Sequence, residues 1–167
     1  MGRQAHIAIL GWVAMLGTDL LLHAGFLARQ YARPSPFLLD PSTAFSLIPV
    51  GYLSFFILAV LLTRLAVRLR VQTWRRGLLL GAELGASIWG ALALGLASIS
   101  TASWGLLAGW FVGQTVELGL AGCVVGAALN GVRPRKLWGI ALGWCVVAFV
   151  ITVLMQNLGW APASVVR

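Results

Sequence analysis

Charge is what this sequence has least of. Only 10% of its 167 residues are Asp, Glu, Lys or Arg, against about 25% in an average soluble domain. Four of them are acidic. With 60% apolar residues and a mean hydropathy of +0.93, the expected solvent is lipid. Cysteine is also scarce: Cys123 and Cys145 lie in apolar segments without CxxC spacing. Neither a disulfide framework nor a zinc site is signalled, and both read as small buried side chains. Nucleophile elbow, HExxH, phosphate loop and CxxCH are all missing. The two histidines, His6 and His23, fall in one apolar segment at a separation of ~25 Å, too far for a bis-histidine haem within one chain. The residues therefore point to no catalytic group, cofactor or metal ligand set.

The net charge of +8 comes from residues that sit almost entirely between apolar runs, so membrane topology accounts for it and nucleic acid is not an expected partner. Five apolar runs, approximately 6–29, 42–66, 77–98, 104–129 and 137–158, predict an all-α polytopic bundle forming one transmembrane domain over 1–167. The first run exceeds the apolar core of a signal peptide and is expected to be retained, and His6 stands where a myristoylation motif needs Ser or Thr. Asp40-Pro41 reads as an N-cap followed by proline at the first helical position. Pro49 and Gly51 should kink the second helix, which is expected to run on to Arg70. Arg3, Arg64, Arg68, Arg70, Arg75, Arg76, Arg133, Arg135 and Lys136 fall on one side, and Arg29, Arg33 and Arg167 on the other. The imbalance predicts N-terminus inside and C-terminus outside, with GWAPASVVR a short exposed tail. Trp74 and Trp138 on one side, and Trp104 and Trp160 on the other, fit interfacial belts.

Small residues mark where such helices touch, because lipid gives apolar side chains little reason to associate. Gly105, Gly109 and Gly113 recur at every fourth residue in the fourth span, and their row continues through Glu117 to Ala121. In the third span Gly77, Gly81 and Gly85 form one row, and Glu83, Ser87, Ala91 and Gly95 a second. Glu83 and Glu117 are expected at comparable depth on antiparallel neighbours, facing one shared space with Gln114 and Ser87 as neutral partners. That would make either a proton or cation relay or a neutral contact fastening two helices. Asp19 and His23, four apart, share a face near the outer boundary, where Tyr52 is expected at the same level. A third metal ligand is not evident there.

Through TDLLLHAGFLARQY, IPVGYLSFFILAVLLTRL and AGWFVGQTVELGLAGCVVGAAL the chain resembles a widespread group of small bacterial polytopic membrane proteins without an assigned activity, over roughly residues 14–130. The resemblance implies a multi-pass protein of the bacterial inner membrane and singles out His23, Gly51, Tyr52, Trp110 and Glu117. Surplus glycine rows make a non-enzymatic assembly the leading expectation: a homo-oligomer or an accessory subunit of a membrane complex, with the lipid bilayer and other subunits as partners. A small transporter or proton-coupled pore using Glu83 and Glu117 is the alternative. An intramembrane enzyme or metal site around Asp19, His23 and Tyr52 is a further one.

Overall fold

The computed structural model describes residues 2–33 and 35–162. Arg167 and the end of the expected tail lie outside the described residues. All regular elements within them are helical: α1 (Arg3–Leu21), a π-helical turn (Leu22–Phe26), α2 (Ala28–Tyr31), α3 (Pro41–Ser46), α4 (Ile48–Arg68), α5 (Trp74–Ile99), α6 (Trp104–Leu129) and α7 (Pro134–Asn157). Among the described residues five helices are long and apolar enough to cross a membrane: Arg3–Phe26, Ile48–Arg68, Trp74–Ile99, Trp104–Leu129 and Pro134–Asn157. At ~1.5 Å per residue each reaches or exceeds a hydrocarbon core of ~30 Å. The chain therefore reads as a multi-pass membrane protein.

Local chemistry sets the helix ends. Asp40 caps α3 through Oδ1, which accepts from the backbone N–H groups of Ser42 and Thr43, and Pro41 takes the first turn. Proline also breaks the second span: Pro49 cannot donate to the carbonyl four residues back, and the helix is interrupted at Leu47. That span ends at Arg68, two residues short of the expected Arg70. Arg70 turns into the left-handed region at φ 52°, while the Val71 N–H reaches the Ala66 carbonyl at 2.9 Å. The third span begins three residues before the expected Gly77, because the Thr73 hydroxyl accepts the Arg76 N–H and caps it. Ser103 does the same for α6.

The layout is built around α1, which packs against α4, α6 and α7, whereas α6 and α7 scarcely touch each other. Hairpin partner α5 lies almost wholly on α6. This pair is close because neither backbone is held off by side chains: a Cβ added at Gly77 would strike the Gly122 carbonyl, one at Gly81 the Leu118 carbonyl, and one at Gly126 the Thr73 carbonyl. Gly77, Gly81 and Gly85 thus pack as expected, but against Thr115, Leu118, Gly122 and Gly126 of α6. The Gly105–Gly109–Gly113 row faces elsewhere. Gly109 abuts Leu27, Gly113 abuts Leu22, and Gly105 lies near Gln30, so this row receives the end of the first span.

Candidate functional site

Glu117 occupies the middle of α6, about equally far from Trp104 and Leu129. Together with Gln114, one turn away on the same face, it is fully enclosed, at 0% exposure for both residues. Neither carboxylate oxygen of Glu117 has a hydrogen-bond partner among the described residues, nor does the Gln114 side-chain oxygen. On insertion scales an acid at mid-span costs on the order of 2.5–3.5 kcal/mol. A group held there at that cost calls for a function or a partner.

A polar cluster adjoins it, supplied by the first span. His23 Nε2 lies 3.2 Å from Asp19 Oδ1, the pair that i,i+4 spacing predicts, and 3.4 Å from Gln114 Nε2. On the ring's other side Nδ1 lies 2.5 Å from the Tyr31 hydroxyl, which accepts from Trp110 Nε1 at 2.6 Å. An indole N–H can only donate, so the Tyr31 oxygen accepts from Trp110, while the direction of the Tyr31–His23 bond follows the imidazole tautomer.

Backbone irregularity brings Tyr31 into place. Two residues eight apart in an α-helix are ~80° out of register, but the π turn Leu22–Phe26, closed by Leu27 N–H to Leu22 O at 2.8 Å, inserts one extra residue. The offset drops to about 20°, and the phenol returns over His23. Loop residue Phe37 covers the outer side, its ring 6.1 Å from that of Trp110. Thr18, one residue before Asp19, is satisfied separately: it donates to the Ala14 carbonyl and accepts from Trp144 Nε1 at 2.9 Å.

Several sequence-based placements change. The shared space expected between Glu83 and Glu117 does not form: Glu83 and Ser87 are exposed on the outer side of α5, while Glu117 and Gln114 face α1. The cause is the glycine geometry, since Gly81 and Gly85 bring one face of α5 onto α6 and turn the Glu83 row away. Gln114 instead joins His23 of the first span. Tyr52 does not supply the phenol at His23. Its carbonyl accepts from Trp12 Nε1, and it lines an apolar groove with Ile9 and Phe56. Tyr31 was not legible as a site residue because its spacing from His23 fits no regular helix, and Trp110 was marked only through the resemblance. Cys123 and Cys145 are free and half-buried, with the Cys145 thiol donating to the Val13 carbonyl. Asp19 and His23 form no group of three potential metal ligands with any His, Cys, Asp or Glu among the described residues.

No protein-family model, curated protein or solved structure matches the chain.

Proposed function

We propose that this chain is a proton-coupled multi-pass protein of the bacterial inner membrane, in which Glu117 exchanges a proton by way of Asp19 and His23. The observation that carries the reading is the enclosed, unpartnered Glu117 carboxyl group at mid-span beside a His-Asp pair 3.2 Å apart. Intramembrane acids are costly and persist chiefly on proton or ion pathways. The His23 side chain keeps 30% of its surface exposed, so this cluster has an entry that Glu117 lacks. Tyr31, itself held by Trp110, engages the imidazole at Nδ1. Helix directions alternate, which gathers nine of the twelve basic residues at the end carrying Arg3 and supports an N-inside, C-outside orientation.

A second reading, assembly with other copies or other subunits, draws on one observation. Glu83, Ser87, Ala91 and Gly95 are exposed along α5, a polar, small-residue surface where lipid contact favours bulky apolar side chains. The glycine surplus that first suggested assembly is otherwise absorbed, since the second row on α6 is occupied by Leu22 and Leu27.

Proteoliposomes loaded with a pH-sensitive dye and driven by a potassium diffusion potential separate the two readings. Proton flux is expected from the wild type and from Glu83→Gln, and at least tenfold less from Glu117→Gln. Equal flux in all three, or none above protein-free vesicles, would defeat the proton reading. A Glu83→Gln particle that is smaller on blue-native electrophoresis, with flux unchanged, would assign assembly to α5.

A further inference from the structure

Because α6 and α7 both lean on α1 and scarcely touch each other, a lateral groove of about 380 Å³ remains between them. Leu22 and Leu27, which cover Gly113 and Gly109, line it from the first span, Val112 and Val116 from α6, and Trp144 from α7. The groove opens toward the lipid: Val112 is 58% exposed and Val116 51%. Its one polar residue, Thr18, has its hydroxyl engaged by Ala14 and Trp144, so nothing in it calls for a polar occupant. From Gly109 to Leu120 it runs eleven residues, or ~16 Å, close to the ~15 Å depth of half a hydrocarbon core.

A cation stands just past its outer end. Arg29 follows Phe26 by three residues, and one of its guanidinium nitrogens donates to the Gly159 carbonyl at 2.7 Å. No carboxylate pairs with it among the described residues. A guanidinium carries five N–H donors, so further donors remain at headgroup depth.

We infer that this groove is a site for an anionic phospholipid, one acyl chain lying over Leu22 and Leu27 between the valines of α6 and Trp144, and the phosphate meeting Arg29. An acyl chain is the occupant because the groove is apolar, opens sideways into the bilayer and matches one leaflet in length. The headgroup is anionic because Arg29, without a carboxylate partner among the described residues, is a cation.

Native mass spectrometry of the detergent-purified full chain tests this with dioleoyl phosphatidylglycerol and dioleoyl phosphatidylcholine. The wild type is expected to retain one phosphatidylglycerol, with affinity about fivefold above that for phosphatidylcholine. Arg29→Gln should bring the two headgroups level. Val116→Trp, which fills the groove from its open wall, should lose both, while Val146→Trp on the outward face of α7 should lose neither. Equal retention of the two lipids by the wild type would overturn the proposal, as would a Val116→Trp variant that keeps them. Headgroup selectivity in Arg29→Gln decides the matter even if Val116→Trp does not fold.

Discussion

Asp40 accepts backbone hydrogen bonds from Ser42 and Thr43 and a third from the Ser42 hydroxyl at 2.6 Å. These bonds, the Ser42 contribution first, hold its carboxyl well below the usual carboxylate range. With the folded-state value below the ordinary 3.8, the cap's contribution is complete above that pH and is lost as pH falls below it. Amide protection at Ser42 and Thr43 should therefore decline in the wild type below pH 3.8 and stay level in Asp40→Asn, whose amide caps without titrating. Hydrogen exchange checks this, and a level wild-type profile would remove the carboxylate from the cap. Single residues were legible in the sequence where a helix stays regular. Asp19 and His23 meet because four residues make one turn, and Asp40-Pro41 starts a helix because the side-chain acceptor and the fixed proline φ both favour it. Tyr31 was not legible, because a π turn changes the count on which such inference depends.

At the scale of the helix, glycine does two different jobs that look alike in the sequence. Gly81 is buried with its Cα against α6, whereas Gly95 has open space where a Cβ would go. Gly81→Ala should therefore destabilise the protein by about 1–3 kcal/mol or more, because the neighbouring atom is a backbone carbonyl that cannot step aside. Gly95→Ala should be neutral, or stabilising by up to ~1 kcal/mol through helix propensity. Unfolding curves in mixed micelles check both, and equal losses would mean that α5 does not meet α6 along the Gly77–Gly85 row. The rows themselves could be read from spacing. Which row takes which partner could not, because small residues show that a backbone can be approached closely without saying by what. That is how the Gly105–Gly113 row, read as the face of the acid, came to receive Leu22 and Leu27 rather than a further subunit.

Over the whole molecule, the five apolar runs and the Asp40 cap were legible because hydropathy and capping are local properties. The arrangement was not. A short turn between the third and fourth spans correctly makes them neighbours, yet the fourth also packs on the first, ninety residues away, and there the enclosed acid points. With α1 at the centre, Asp19, His23 and Tyr31 become the wall opposite Gln114 and Glu117, and both the proton reading and the lipid groove follow from that placement. It is tested most directly by disulfide cross-linking in native membranes, with Cys123 and Cys145 replaced by serine. Leu22→Cys paired with Gly113→Cys should cross-link readily, since a Cβ at 113 would touch the Leu22 side chain and a disulfide needs Cβ atoms ~3.5–4.5 Å apart. Glu83→Cys paired with Glu117→Cys should not. The opposite pattern, with the two former acids joined and positions 22 and 113 apart, would contradict the account.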